Sequence, residues 1–148
     1  MIQADDPASP AARELIEQLD KLLTGSYPAE SNHLLSVEAL RQPNVTFITA
    51  SVDGAVAGCG AFVNQGAEYA EIKRMFVLPE FRGLKLGRRI LEELEKLARA
   101  SGIELARLET GVYQSEALLL YEKAGYQRRG PFGEYSEDPL SIFMEKKL

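Results

Sequence analysis

The sequence predicts an α/β fold built on a mixed, mostly antiparallel sheet of six to seven strands with about four helices. Three β-rich segments, 45–52, 55–64 and 69–77, follow one another with turn residues between them, a pattern typical of antiparallel strands. Apolar residues then recur at helical spacing over 87–100, and a further β-rich segment covers 105–111. Because a strand, a helix and a strand in this order form a right-handed crossover, the sequence also predicts a parallel pair of strands.

The flanking elements are predicted from helix caps and helix stops. Ser9 and Pro10 suit an N-cap and a first helical turn, and Gly25 suits the end of the helix that they begin. Ser115 is a suitable N-cap for a later helix that Gly125 ends. The flanking elements are a weak strand, a first helix, a short helix, a late helix and two closing strands, predicted at residues 2–4, 10–23, 36–41, 115–124, 126–129 and 142–145.

Length and composition predict a single domain over residues 1–148. Hydrophobic residues make up 45% of the chain, too many for a disordered protein, and no apolar run approaches the roughly 20 residues that cross a bilayer. The first residues lack the basic start and the apolar stretch of a signal peptide. The single cysteine, Cys59, is expected to be a small buried residue and suits a reducing compartment. We therefore expect a cytoplasmic protein with no membrane partner.

Charge is unevenly distributed along the chain. The net charge is -5, from 17 Lys and Arg against 22 Asp and Glu, which argues against a nucleic-acid partner because such binding neutralises phosphates. A local basic cluster nevertheless lies within this acidic chain. Its members are Arg74, Arg82, Lys85, Arg88 and Arg89. A small anionic ligand is the partner that this cluster favours.

The turn from Arg82 to Arg88 combines two glycines with several cations, between a predicted strand and a predicted helix. The free N–H groups of a first helical turn, together with the helix dipole and nearby cations, bind anions such as a pyrophosphate. The glycine spacing fits neither a Walker loop nor the dinucleotide fingerprint. The residues alone leave a second interpretation open, in which the glycines only permit a turn and the cations are solvated.

The stretch from Met75 to Gly87 resembles the acyl-CoA motif of the GCN5-related N-acetyltransferase (GNAT) superfamily, Arg/Gln-x-x-Gly-x-Gly/Ala after a strand. Lys85 stands where that motif has its middle glycine. Gln114 stands where many members have an asparagine that contacts the pantetheine arm. The resemblance implies a GNAT-like domain whose parallel strands splay apart to hold acetyl-CoA as cosubstrate. The residues that it implies for binding are Met75, Phe76, Val77, Arg82, Gly83, Leu84, Lys85, Leu86, Gly87, Arg88, Gln114 and Tyr121.

A second stretch, from Ala117 to Tyr126, resembles the family pattern Ala-x-x-x-Tyr-x-x-x-Gly-Phe, with Tyr126 in place of Phe. In the family, the tyrosine at the position of Tyr121 often protonates the departing sulfur of CoA. A phenol with an ordinary pKa near 10 is protonated at neutral pH and can donate to a thiolate. Taken without the resemblance, Tyr121 also fits a core aromatic residue on an amphipathic helix.

An amine acceptor must lose a proton before it attacks a thioester, and a carboxylate can accept that proton. Glu71, early in the strand expected to lie beside the acyl group, is the first candidate for this base, and Glu109 on the next strand is the second. Either carboxylate could instead face solvent or pair with Lys73 or Arg107. The resemblance further implies that a backbone N–H near Phe76 polarises the thioester carbonyl.

Contacts with the acceptor are expected from the loop before the strands and from a late loop. Glu30, Asn32 and His33 form a polar cluster in the first of these loops, and Tyr135 lies in the second. His33, the only histidine, could act as a base or be an ordinary loop residue. No cluster of cysteines or histidines indicates a metal.

The resemblance implies an enzyme that transfers an acetyl group to a primary amine of a small molecule or a protein, by direct attack in a ternary complex. The alternative is a non-catalytic module that binds acyl-CoA. In the family, homodimers form through the last strands, and such a dimer is an expectation here. A narrower resemblance, to the bacterial acetyltransferases called YsnE-like, rests on residues 27–33, 71–75 and 138–143.

Overall fold

The computed structural model describes residues 1–31, 33–66 and 68–148. The strands are β1 (Ile2–Ala4), β2 (Val45–Val52), β3 (Ala55–Asn64), β4 (Ala70–Val77), β5 (Leu105–Gly111), β6 (Gln127–Arg129) and β7 (Ser141–Lys147). The helices are α1 (Pro10–Ser26), α2 (Val37–Leu40), α3 (Leu86–Ala100) and α4 (Ser115–Lys123).

The strands form one mixed sheet in the order β1-β2-β3-β4-β5-β7-β6. Among the described strands only β4 and β5 pair in parallel, and α3 is the crossover between them. The α/β class, the mixed sheet and the parallel pair are therefore confirmed. The main differences lie at element ends: α1 runs on to Ser26, and β7 is longer than predicted at both ends. Ser115 is the first residue of α4 rather than its cap, and the preceding Gln114 makes no capping bond with its side chain.

Helices cover both faces of the sheet. The amphipathic helix α3 buries Ile90, Leu91 and Leu94 in a large cluster with Ile48 and Leu108 of the sheet. On the opposite face, α1 buries residues such as Leu15 and Ile16 in a second cluster. Each face of the sheet therefore has its own core, and the face to which a strand residue points decides the cluster in which it packs.

A β-bulge in β4 makes such a change. Between Cys59 and Ala61 the register of β3 against β4 shifts, so that Arg74 is the extra residue, and its φ is 55°. Side chains alternate along a strand, and one extra residue reverses the alternation. Ile72 accordingly packs in the α3 cluster, whereas Phe76, an even number of residues later, packs in the α1 cluster.

The parallel pairing of β4 and β5 is short. It joins Ala70–Ile72 to Ala106–Leu108, and the bulge in β4 follows at once. Beyond that point no pairing between the two strands is present in the described parts of the chain, although both strands continue. The centre of the sheet is therefore open between the second half of β4 and the end of β5.

The two halves of the sheet are tied together by a buried acidic group on α3. Glu95, which is 3% exposed, accepts hydrogen bonds from the Tyr126 hydroxyl at 2.8 Å and from Lys146 Nζ at 3.0 Å. A buried carboxylate needs such partners because it has left water. No helix among the described residues is long and apolar enough to cross a membrane.

Candidate active site

The gap between β4 and β5 opens into a cavity of about 120 Å³. Its floor is formed by the two strands, one wall by α4, and the opposite wall by α1 and the loop that follows it. Four of the predicted site residues that line the cavity carry polar side chains: His33, Glu109, Gln114 and Tyr121. The opening in the sheet and these four polar residues therefore lie at the same place.

Tyr121 faces the cavity from α4. Its residue is 5% exposed, and its ring packs edge-on against Tyr126 with centroids 5.8 Å apart. Burial, and then the charge of Glu109, raise the pKa of the Tyr121 hydroxyl above its ordinary value. Within the described residues no group hydrogen bonds this hydroxyl. It is therefore a protonated donor that is open to whatever occupies the cavity.

Glu109 lies in β5 and lines the same cavity. One of its oxygens accepts a hydrogen bond from the Ser141 hydroxyl at 2.8 Å. Desolvation by burial raises the pKa of Glu109, and the hydrogen bond from Ser141 and the charges of His33 and Lys73 act in the opposite direction. A carboxylate with a raised pKa and a single hydrogen-bond donor is well suited to accept a proton.

Glu71 has a different environment. It is 6% exposed, and one oxygen accepts a hydrogen bond from the Tyr135 hydroxyl at 2.5 Å and lies 3.2 Å from Lys73 Nζ. Gln65 donates to its other oxygen at 3.4 Å. Glu71 is not among the residues that line the cavity. The alternatives to a catalytic base are exposure to solvent and an ion pair with Lys73 or Arg107. The structure has the ion pair with Lys73.

The predicted acceptor residues are only partly brought together. The ring of His33 lines the cavity and meets Tyr135 edge-on, with centroids 4.9 Å apart. Glu30 lies in a short 3-10 turn and is exposed. Asn32 lies outside the described residues. Of the predicted residues in the described part of this loop, His33 therefore lines the cavity. Tyr135 packs against the His33 ring.

Sequence reasoning missed Tyr27, which forms part of the cavity wall. The Tyr27 hydroxyl accepts a hydrogen bond from the Tyr113 amide at 2.9 Å, and the two rings stack with centroids 5.3 Å apart. A Cβ atom on Gly111 would lie 1.9 Å from the Tyr27 hydroxyl oxygen, so only glycine admits the ring there. The glycine at the end of β5 was the available signal, since a glycine in a strand often marks a close approach.

Ser31 was missed as well, and it joins two loops. Its hydroxyl donates to Asp138 Oδ2 at 2.6 Å, across a separation of 107 residues in sequence. This hydrogen bond is the first cause that lowers the pKa of Asp138, and a bond from the Leu140 amide adds to it. No pattern in the sequence pairs these two residues, because the contact depends on how the loops fold back over the sheet.

The other end of the gap leads to the start of α3. Arg89 N donates to Lys85 O at 3.1 Å as the first rung of the helix, so the amides of Leu86, Gly87 and Arg88 have no carbonyl behind them in α3. No side chain caps this end and no acidic residue lies in its first turn. Such a terminus attracts an anion.

Lys85 has the conformation that its place in the turn requires. Its φ is 59°, and Gly83 two residues earlier has a φ of 89°. The left-handed region favours glycine, which explains why the motif has a glycine at the position of Lys85. A non-glycine residue thus adopts the expected backbone, and it brings a cationic side chain to the N-cap position of α3.

The cations of this end divide into paired and unpaired groups. Arg82 lies 3.6 Å from Glu116 of α4, and Arg88 lies 2.9 Å from Glu92 one turn along α3. In the described chain neither Lys85 nor Arg89 forms an ion pair. These two cations are the ones available to an anion without first breaking a contact.

The amides of β4 are oriented by its pairing with β3. Leu78 N donates to Ala57 O at 2.8 Å, and Phe76 opposes Cys59 two rungs along. In an antiparallel ladder, bonded pairs alternate with unbonded ones, so the Phe76 N–H is directed at β3. The amides of Met75 and Val77 are then directed into the gap. The amide predicted near Phe76 is therefore expected on one of its two neighbours, Met75 or Val77.

Comparison with known proteins identifies the family. The model of the acetyltransferase (GNAT) family matches residues 12–126. A protein named IAA acetyltransferase from Azospirillum brasilense is 50% identical over 99% of this chain and 97% of its own length. The uncharacterised N-acetyltransferase YsnE of Bacillus subtilis is 36% identical over 99% of both chains. A crystal structure of a Klebsiella pneumoniae protein assigned as an acyl-CoA N-acyltransferase superposes with a TM-score of 0.85, at 35% identity, over 100% of this chain and 97% of that one.

The chain belongs to the GNAT acetyltransferase family. The predicted family, the YsnE-like resemblance and the GNAT-like fold are confirmed. The chain is an acyltransferase, and acetyl-CoA, which GNAT acetyltransferases use, is its cosubstrate. Among the described residues no group of three or more His, Cys, Asp or Glu could hold a metal.

Cys59 bears on the chemistry because a thiol could in principle carry an acyl group. This GNAT protein buries Cys59 completely in β3, and its thiol donates to Arg74 O at 3.2 Å. Burial raises the pKa of the thiol to about 12. Since the thiolate is the nucleophile, this thiol is inert at neutral pH.

We expect native protein at pH 8 to resist alkylation of Cys59 by iodoacetamide, and denatured protein to react fully, as measured by mass spectrometry. Cys59→Ala should keep kcat within about twofold, because the thiol takes no part in transfer. Rapid alkylation of the folded protein with matching loss of activity would contradict this expectation.

Proposed function

We propose that this GNAT protein transfers the acetyl group of acetyl-CoA to the primary amine of a small molecule, by direct attack in a ternary complex. The observation that carries the proposal is that Glu109 and Tyr121 line one small cavity at the point where β4 and β5 separate. A proton acceptor and a proton donor thus face the same volume from different elements. A primary amine of a protein is the second acceptor class.

The donor fits the other end of the gap. The free amides at the start of α3 and the unpaired cations Lys85 and Arg89 suit the diphosphate of CoA. The amides of Met75 and Val77, directed into the gap, suit the acyl and pantetheine end. An amide aimed at a thioester oxygen stabilises the charge that develops there during attack. Gln114 lines the cavity between these two ends.

Glu109 is the base that the geometry favours over Glu71. Glu109 lines the cavity and has one hydrogen-bond donor, whereas Glu71 lies outside the lining and is bonded to Tyr135, Lys73 and Gln65. A carboxylate whose lone pairs are already occupied accepts a further proton poorly. In this proposal Glu109 removes a proton from the ammonium of the acceptor, directly or through water.

Tyr121 is the acid. As the amine nitrogen bonds to the carbonyl carbon, the carbon–sulfur bond breaks and negative charge develops on sulfur. The Tyr121 hydroxyl remains protonated because burial and Glu109 raise its pKa, so it can donate to that sulfur. Glu109 has gained a proton and Tyr121 has given one, and exchange with solvent restores both. The inert Cys59 fits direct transfer without an acyl-enzyme.

The size and charge of the cavity favour a small cationic acceptor. A volume of about 120 Å³ is below the several hundred Å³ of a typical drug-sized site. Glu109 is the only acidic residue among the described residues that line the cavity, and its carboxylate suits an incoming ammonium. The 50% identical relative is named for IAA, so IAA is one acceptor to include in any screen.

Other parts of the interpretation stay predictions. They are a single catalytic domain over residues 1–148, a cytoplasmic location, the absence of a nucleic-acid partner, and a homodimer through the last strands. A non-catalytic acyl-CoA-binding module is not favoured, because the relatives over the full length are named acetyltransferases.

The function is tested by release of the CoA thiol from acetyl-CoA over a panel of small primary amines, lysine peptides and IAA. We expect rapid release with at least one small amine and little with the peptides. Calorimetry with CoA, done in parallel, separates binding from turnover. Saturable CoA binding without release on any acceptor would support the binding module instead.

Tyr121→Phe should lower kcat by about 100-fold while leaving the affinity for CoA within about twofold, because only the proton donor is lost. Tyr113→Phe is a matched control, since the Tyr113 side chain is 63% exposed. A kcat for Tyr121→Phe equal to that of wild type across the pH range would remove Tyr121 from the acid role.

Glu109→Gln tests the base through the pH profile of kcat/KM. Glu109 works when ionised, so wild-type activity should fall as pH drops towards its pKa, which burial raises above that of an ordinary glutamate. The variant should lose this fall in activity at low pH and should be about 100-fold slower. Any rise in activity caused by deprotonation of the amine acceptor should remain. Glu104→Gln, at an exposed residue just before β5, is the control. An unchanged fall in activity at low pH in Glu109→Gln would point to another base.

A further inference from the structure

Lys73 lines the cavity from β4, and its ammonium is almost out of water. Its side chain is 13% exposed, and Nζ lies 3.2 Å from Glu71 Oε2. The same nitrogen donates to His33 O at 3.2 Å and to the Tyr135 hydroxyl at 2.5 Å. An ammonium has three N–H donors and no acceptor, so these contacts use its whole donor capacity.

The acceptors of Lys73 come from separate parts of the chain. Glu71 belongs to β4 itself, His33 to the first loop (residues 27–31 and 33–36) and Tyr135 to the late loop (residues 130–140). Tyr135 also donates to Glu71 at 2.5 Å, which closes the network. Lys73 thus ties both loops to the same point on the sheet.

A second bond joins the same loops. Ser31 in the first loop donates to Asp138 in the late loop at 2.6 Å. Of these two connections between the loops, only the one through Lys73 reaches β4. Arg74 of β4 also holds the first loop, through Leu35 O, but does not contact the late loop. Lys73 is therefore the residue of β4 that joins both loops.

The first loop carries residues that line the cavity, including Ser31, His33 and Leu35. Where this loop sits therefore decides how much room an acceptor has beside Glu109. The predicted diphosphate site lies at the start of α3, at the other end of the gap. A change at Lys73 should consequently reach the acceptor and not the donor.

We propose that Lys73 is a positioning residue that fastens the first and late loops over the acceptor end of the cavity and so restricts this enzyme to small amines. The effect on acceptors rests on the proposed function, whereas the attachment of the loops does not. In this proposal Lys73 acts through the positions of His33 and Tyr135.

The loop attachment is tested first, by hydrogen–deuterium exchange of the ligand-free protein. In Lys73→Met, amides in residues 27–36 and 130–140 should exchange at least about tenfold faster than in wild type. Lys147→Met is the matched control, because Lys147 is an exposed residue of β7 that makes no side-chain ion pair with any described residue. Wild-type exchange rates in both loops of Lys73→Met would overturn the proposal.

The consequence for acceptors is tested by steady-state kinetics with the best small amine and a bulkier one. At a pH high enough to keep Glu109 ionised in both proteins, the KM of Lys73→Met for the small amine should rise at least about tenfold, with kcat changed less than threefold and the KM for acetyl-CoA within twofold. The ratio of kcat/KM for the bulky amine to that for the small one should increase. A loss that falls equally on both substrates would mean a general structural role and would overturn the positioning role.

Tyr135→Phe covers the case in which Lys73→Met does not fold. It removes the hydroxyl that links the late loop to Lys73 and Glu71, while Lys73 keeps its bond to His33 O. Exchange should then accelerate in residues 130–140 and stay near wild type in 27–36, and acceleration in neither would overturn the proposal. If wild type releases no CoA on any acceptor, the proposed function fails while the exchange result still decides the attachment.

Discussion

The extra residue at Arg74 is the constraint on which the active site depends. It reverses the facing of β4 directly after the last parallel rung with β5, so the strand cannot continue the ladder and the sheet opens. A left-handed φ on a non-glycine residue costs roughly 1–2 kcal/mol. Arg74 offsets that cost with its own side chain: Nε and Nη2 donate to Leu35 O at 3.1 and 2.5 Å, and Nη1 pairs with Asp20. The residue that opens the sheet thus also anchors the loop beside the opening.

That opening sorts the charged groups into those that hold the structure and those that are available for chemistry. Glu71, Glu95 and Lys73 are buried with full sets of partners, and each joins elements far apart in the chain. Glu109 has one donor, and Tyr121 has an open hydroxyl among the described residues. A polar group that opens onto a cavity keeps its hydrogen-bonding capacity for a ligand. On this ground we propose Glu109 rather than Glu71 as the base.

Local patterns predicted nearly all of the fold, and four of the predicted polar site residues line the cavity. The turn before β3, the helical period of α3 and the glycine-rich turn at Arg82–Gly87 depend on neighbours in sequence, and they place the elements correctly. What could not be predicted depends on contacts between distant segments. The bulge at Arg74 carries no glycine to mark it, and the bonds of Lys73 to His33 and Tyr135 span 40 and 62 residues. The facing of β4 beyond residue 74 follows from that bulge.

Lys85 shows how a departure from a family motif can be accommodated. The backbone there has the left-handed φ that the motif glycine would adopt freely, so the lysine bears a strain of roughly 1–2 kcal/mol in the empty protein. A glycine at this position would lower stability by roughly 0.5–1 kcal/mol, because it loses more backbone entropy on folding. The net cost of lysine relative to glycine is therefore smaller than the strain alone. A cationic side chain at an uncapped helix terminus adds attraction for an anion that the glycine lacks. The strain affects the free protein and the added charge affects the complex, so we expect the lysine to lower stability slightly and to strengthen binding of a diphosphate.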